Sequence, residues 1–211
     1  MNKIQIIAIL GGAGRTGSFV ISRLLQQRFH LRVLIRDPNH FKVNSGLIEY
    51  VYGDALDKQI ISTLLHGCQA VISTIGQRKN EPLVAAVATH NIVEQMQVQG
   101  IRRYIQLAGL NIDTPVDQKS TQTLAATEWM KRNFPEIQQD RQAAYAKLIA
   151  SNIDWTLVRV PMIDFVEGLG HFKVNLFDCP GMSISAGDIA KFITDQLYDK
   201  EYLRQSPFIS N

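Results

Sequence analysis

Unbroken apolar runs and stretches with apolar residues every three or four positions take turns along most of this chain. Residues 4–10 form the first run, which Gly11 ends. Phe19, Ile21, Leu24 and Leu25 then fall on one helical face, so a helix with a buried side follows the first strand. Residues 31–35 and 48–52 read as second and third strands, closed by Pro38 and by Gly53 with Asp54. Residues 70–75 make a fourth, ended by Gly76. Val84, Val87, Ile92, Val93 and Met96 then mark a long amphipathic helix that runs to Gly100. Residues 104–107 and 155–160 complete the series, the last stopped by Pro161. Strands apolar enough to be covered on both faces, alternating with helices, predict an α/β fold. The expected architecture is a Rossmann-type doubly wound parallel sheet in three α/β/α layers.

A chain of 211 residues that is 45% hydrophobic can bury one core without splitting, and no Pro/Gly/Ser-rich linker, repeat or low-complexity tract divides it. The net charge of +3, from 22 basic and 19 acidic residues, is too small to imply nucleic acid. Arg102 with Arg103, and Lys131 with Arg132, are pairs on solvated faces and not a basic stripe. Cys68 and Cys179 stand far apart, as expected of reduced thiols in a cytoplasm, and the five histidines show no metal-ligand spacing. The first apolar run is too short to span a membrane and ends in glycines, not a cleavage site.

Those glycines carry the first functional signal. The loop reads Gly11, Gly12, Ala13, Gly14, Arg15, Thr16, Gly17, with a strand before it and a helix after. Such a turn aims backbone N–H groups and the positive end of a helix dipole at one spot, where a pyrophosphate can sit. Gly11 or Gly12 permits the tight turn, Gly14 lets the backbone touch phosphates, and Gly17 lets the helix lie close on the sheet. The second strand ends in Arg36 and Asp37. About 20 residues past the last glycine, an NAD-binding fold places an acid on the ribose 2′-hydroxyl. Here Arg36 comes first, and its planar fork suits a 2′-phosphate, over which Arg15 can close from the other side. That favours NADP(H). The other reading leaves Arg36 as a solvated strand end and gives Asp37 the ribose of NAD.

Ligands of such sheets lie at the carboxyl ends of the strands. Asp54 and Ala55, then Thr74, Ile75, Gly76 and Arg78, then Ala108 and Gly109, and last Pro161, Met162 and Ile163 are therefore expected to converge on the glycine loop. Asp54 can accept from an adenine amino group or cap its own turn at Leu56 and Asp57.

Together, the glycine pattern, the Val33, Leu34, Ile35, Arg36, Asp37, Pro38 run, the Gly53, Asp54 pair and the segment 151–159 resemble the atypical short-chain dehydrogenase/reductases. Within these the chain is most similar to the small NADPH-dependent flavin reductases, also called biliverdin reductase B, and to the wider NmrA-like group. The likeness runs down to Ser185, Gly187, Asp188, Ile189 and Ala190, which open the last long helix. It implies one NAD(P)-binding domain over residues 1–211, with a small C-terminal region on the substrate side. It also implies coenzyme contacts at the glycine loop, Arg36, Asp54, Gly76 and Arg78.

The chain departs from that pattern at the proton-transfer residues. The Tyr-x-x-x-Lys pair of most short-chain dehydrogenases is expected near Gln139 and Ala143, which cannot titrate, and Ala108 and Gly109 stand where a Ser or Thr is usual. This argues against a sugar epimerase or an ordinary alcohol dehydrogenase. Flavin reductases of the resembling kind need no such pair, because hydride passes to an electron-poor ring stacked on the nicotinamide and solvent supplies the proton. Where they carry a histidine before the sixth strand this chain has Tyr145, either a phenol that holds a substrate carbonyl or a half-buried packing aromatic. Asp164, Phe165 and His171 are expected to roof the nicotinamide, and Trp129, Phe134 and Pro135 to form a lid or an exposed patch for a partner. The expected function is NADPH-dependent reduction of a flavin, quinone or similar planar small molecule. The alternative is a catalytically silent NmrA-like sensor that reports NADP(H) to a protein partner.

Overall fold

Alternation within the first strand, β1 (Ile6–Leu10), decides the architecture. Ile7 and Ile9 face one core and Ala8 and Leu10 the other, all fully buried, so the sheet needs a helical layer on each side. The computed structural model describes residues 4–41, 43–78 and 80–211. After β1 come α1 (Arg15–Gln26), β2 (His30–Ile35), β3 (Ile48–Tyr52), α2 (Lys58–Leu65), β4 (Ala70–Ser73), α3 (Ala85–Gln99) and β5 (Arg103–Gly109). The second half holds α4 (Thr121–Asn133), α5 (Pro135–Ile149), β6 (Asp154–Val160), β7 (Met162–Asp164), β8 (Lys173–Asn175), β9 (Ser183–Ser185), α6 (Ala186–Asp195) and β10 (Phe208–Ser210). Helices α1 and α6 pack together beneath one face, while α2, α3 and α5 cover the other.

Among the described residues the main sheet has eight strands in the order β3-β2-β1-β4-β5-β6-β10-β8, parallel except where the short β8 runs against β10. A separate parallel pair joins β7 to β9. The chain winds outward from β1 to β3 and then returns to lay β4 on the other side of β1, which opens a crevice at the carboxyl ends of β1 and β4. The doubly wound parallel sheet and its three layers match the expectation, with two adjustments. Strand β4 stops at Ser73, because the Thr74 hydroxyl turns back to donate to Gly11 O (3.1 Å). Strand β5 continues to Gly109, because its register with β6 holds as far as Val160.

One buried charge cluster fixes the loop after β5. The Arg159 side chain, on β6, is 0% exposed, and its guanidinium donates to both Asp117 oxygens (2.8 Å each), to Ile112 O (3.0 Å) and to Ser206 O (2.9 Å). It also stacks on the Phe208 ring, 3.5 Å from the centroid. Lys119, whose side chain is nearly covered, joins Asp113 (2.7 Å) to the same cluster. Residues 110–119 are thereby tied to β6 and to the C-terminal segment. Both cysteines are free and buried, and burial pushes the Cys68 thiol up to about 11. Among the described residues no helix is long and apolar enough to cross a membrane.

Candidate coenzyme and substrate site

The glycine loop lies across the crevice and presses on the end of β4. Gly11 has φ +77°, and a Cβ there would come within 2.6 Å of the Thr74 carbonyl carbon, so only glycine fits. Gly14 is the N-cap of α1 and offers no side chain, whereas α2, α4 and α6 begin at Asp57, Ser120 and Ser185, whose side chains cap the first turn. With no acid in that turn either, the positive end of α1 is left open to an anion. Gly12 and Gly17 support this loop from behind. A Cβ on Gly12 would meet the Ile21 and Val33 side chains, and one on Gly17 would overlap the Gly11 carbonyl oxygen.

A cavity of about 430 Å³ opens at the loop and gathers Ala13, Gly14, Arg15, Thr16, Arg36, Asp54, Ala55, Gly76 and Arg78. Residues 74–77 form its floor and also the floor of a second cavity, of about 240 Å³, whose far wall includes Ala108, Gly109, Pro161, Ile163 and Tyr145. Met162 turns away, 74% exposed, to an apolar cavity of about 440 Å³ walled by Trp129, Met130 and Met182. That third space meets the second at Gly109, Val160 and Pro161.

The charges of the first cavity are already engaged with one another. Arg36 donates a bidentate pair of bonds to Glu81 (2.6 and 2.8 Å) and lies 3.9 Å from Asp54, while Arg78 is 3.8 Å from Glu81. The hydrogen bond to Glu81 raises the Arg36 pKa and holds the Glu81 carboxyl below its usual range. Asp54 also accepts from the Leu56 N–H (2.9 Å), its turn-capping role. Arg15 lies over the Phe165 ring, 3.9 Å from the centroid, and so bridges the glycine loop to the segment after β7.

Helix α5 supplies one side of the second cavity through Ile137, Asp140, Arg141, Ala144 and Tyr145, a single face at helical spacing. Gln139 and Ala143 lie off this face, exposed to solvent. The Asp140 carboxylate accepts from the Ala85 and Ala86 N–H groups (2.7 and 3.0 Å) and caps α3 from outside. Tyr145 is 9% exposed and stands edge-on to Trp155, ring centroids 6.2 Å apart. Burial pushes its phenol above the ordinary value, against the opposing pull of Ser206 and the Arg159 charge.

With this geometry in place, the match of the NAD(P)H-binding family model to residues 11–200 acquires a structural meaning. The chain belongs to the NAD(P)H-binding family. Cinnamoyl-CoA reductase 1 of Oryza sativa subsp. japonica is 28% identical over 113 residues, 48% of this chain and 33% of that protein. The chain spans a third to about half the length of the curated reductases that it matches. Among solved structures, an anaerobillin reductase from Escherichia coli O157:H7 superposes with a TM-score of 0.81 at 16% identity, covering 98% of this chain and 97% of that one. A short-chain dehydrogenase/reductase from Veillonella parvula DSM 2008, in complex with NADP, gives 0.75 at 17% identity over 99% and 95% of the two chains. At such identities the likeness establishes the fold.

Two residues of this site, Glu81 and Arg141, carry no mark in the sequence, unlike Trp129 and His171. Glu81 lies 45 positions from Arg36 and is one acid in a polar loop, so nothing in the local pattern marks it as the partner of that guanidinium. Arg141 sits on the cavity face of α5, where a periodicity count was available but no motif drew attention to it. Trp129 is exposed on α4, where it contacts Phe134 edge-on and walls the apolar cavity. His171 is exposed, and its carbonyl accepts from the Asn211 side chain (2.7 Å).

Proposed function

We propose that the protein holds NADPH along the glycine loop and uses it to reduce a planar conjugated small molecule, such as a flavin or a quinone, seated in the second cavity. The observation that carries this reading is the shared floor at residues 74–77. A coenzyme whose diphosphate rests on the α1 N-terminus and whose adenosine lies towards Arg36 has its nicotinamide end directed across that floor. When bound, the coenzyme supplies the hydride. The protein's part is to bind, to orient and to exclude water. The apolar space beside Trp129, Met130 and Met182 suits the body of an extended ring, and Pro161, Met162, Cys179 and Gly181 in its wall are assigned to the small C-terminal region on the substrate side.

Selection of the 2′-phosphate is assigned to Arg36, with Glu81 as its resident partner. Arg36→Ala is expected to weaken NADPH binding by about 2 to 3 kcal/mol and to leave NADH nearly unchanged, because only the phosphate loses a charge-assisted bond. Glu81→Gln should act in the opposite direction and tighten NADPH by roughly threefold or more, since the phosphate then meets no competing carboxylate. Calorimetric titration of both coenzymes into the two variants checks the pair. Equal losses for NADPH and NADH in Arg36→Ala would remove the assignment.

Tyr145 is assigned to hydrogen-bond donation or packing, not to proton abstraction. Its pKa is raised above the usual 10.0, so the phenol remains neutral across the working pH range. Tyr145→Phe is expected to lower kcat by less than about tenfold. The wild-type rate profile should show no limb from this residue between about pH 6 and 9. A limb in that interval that vanishes in the Phe variant would contradict the assignment.

The whole reading is tested by steady-state oxidation of NADPH with FMN or menadione as acceptor. Turnover that falls with Arg36→Ala supports it. Tight NADPH binding without turnover favours the sensor alternative, for which the solvent-facing Gln139 and Ala143 are the supporting observation.

A further inference from the structure

Arg141 is the cation of the second cavity that the proposed hydride transfer does not use. It lies on the cavity face of α5, half-buried, one helical turn before Tyr145. A Cβ added to Gly109, at the end of β5, would lie 3.6 Å from an Arg141 guanidinium nitrogen, so the head group reaches across to the sheet. Asp140 is the acid in this cavity wall, and both of its oxygens are occupied by the α3 N-terminus. Among the described residues, Arg141 has no hydrogen bond or salt bridge. The buried arginines Arg159 and Arg103 are by contrast saturated, Arg159 by Asp117 and backbone carbonyls and Arg103 by Gln196 O, Asp154 O and Thr156.

A guanidinium half-withdrawn from water, left with the solvent of the cavity and no protein acceptor, is less well solvated than one at the open surface. Burial lowers the Arg141 pKa, and Asp140 offsets this only through its charge. A side chain kept in that condition at a cavity wall is explained if its acceptors arrive with a ligand. We infer that Arg141 is an anion-binding residue of the substrate cavity, and that the molecule bound there carries a carboxylate or phosphate group on its planar frame. This deepens the reductase reading and rests on it for the identity of the cavity. The planar fork of arginine favours a two-oxygen anion held in the plane of the ring system over a single carbonyl.

The test uses a 1,4-naphthoquinone bearing a ring carboxylate and the methyl ester of the same compound, so that the reducible ring is constant and only the charge differs. With NADPH saturating, Arg141→Leu is expected to raise the KM of the carboxylate at least tenfold and to change that of the ester less than twofold. Arg141→Lys should recover part of the loss. The NADPH affinity should stay constant, and the melting temperature of Arg141→Leu should equal or exceed that of the wild type, whereas a residue that only braces the fold would lower it. Parallel changes for acid and ester, or KM values unmoved for both, would overturn the inference.

If wild-type protein oxidises no NADPH with either compound, the reductase reading fails, and equilibrium binding to the NADPH-loaded protein decides the anion site. Carboxylate binding that Arg141→Leu abolishes supports the site. Binding that is absent, or indifferent to the substitution, refutes it. FMN and inorganic phosphate, run as competitors of the carboxylate, separate a phosphate on a flavin from a free phosphate ion.

Discussion

Gly17→Ala is expected to destabilise the protein by about 3 kcal/mol and to abolish coenzyme binding, although alanine is ordinarily the better helix former by about 1 kcal/mol. Gly17 belongs to the first turn of α1, and its added methyl group would collide with the Gly11 carbonyl oxygen and come within 2.8 Å of Gly12 Cα. Both obstacles are backbone, so no side-chain rotation relieves the overlap. The helix must lift from the sheet, or the loop must leave the end of β4, and either movement displaces the α1 N-terminus that is proposed to hold the diphosphate. Gly14→Ala provides the comparison. Gly14 has φ −79°, and its Cβ would stand 3.1 Å from the Gly11 oxygen, a milder contact than those at Gly17. It should keep more stability than Gly17→Ala and lose NADPH if, as proposed, the backbone at Gly14 lies against a phosphate. Urea denaturation and calorimetry on the two variants are decisive. Gly17→Ala with unchanged stability and coenzyme affinity would mean that the loop does not pack as described.

Arg159→Met and Asp117→Asn are each expected to cost about 3 to 5 kcal/mol, because each leaves the other partner with a charge that is buried and uncompensated. The Arg159 head group serves Asp117, Ile112 O and Ser206 O together, so its loss takes the bidentate cation from Asp117, which keeps only Thr114 as a close donor, and removes the donor of Ser206 O, while Ile112 O retains Lys119 Nζ. Lys119, already committed to Asp113, is 3.7 Å from Asp117 and cannot replace a bidentate fork. The double variant Arg159→Met/Asp117→Leu should be much less damaging than the sum of its parts, since it removes both charges and leaves apolar volume. Additive losses below about 1 kcal/mol would show that the cluster is incidental. Because the cluster holds residues 110–119 against β6, the single variants should also disorder the wall shared by the second and third cavities.

What could be read beforehand follows from how locally each feature is encoded. The bounds of β3 were legible because Gly53 and Asp54 punctuate an apolar run, and the glycine loop was legible because four glycines fall between a strand and a helix. The three-residue strands β7 and β8 were not, since each buries nothing fully and neither shows a continuous apolar run. Helix α4 escaped notice for a related reason: its buried positions are Thr123 and Thr127, which carry no hydrophobic signal. Arg159 lies within a run that is legible as a strand, yet its complete burial depends on Asp117, 42 residues earlier, and on the C-terminal segment. The pairing of Arg36 with Glu81 and the lack, among the described residues, of a hydrogen-bond acceptor for Arg141 are likewise products of tertiary assembly.

The way the main sheet ends bears on how the molecule behaves in a crowded solution. At one border, β8 is three residues long, opposes its neighbour and presents exposed Lys173 and Asn175. At the other, β3 is five residues long and carries Glu49 and Tyr52 outward. Neither rim is a long, flat, apolar template, so strand-by-strand addition of further molecules has little to grow on, and fibril formation is disfavoured while the native state persists.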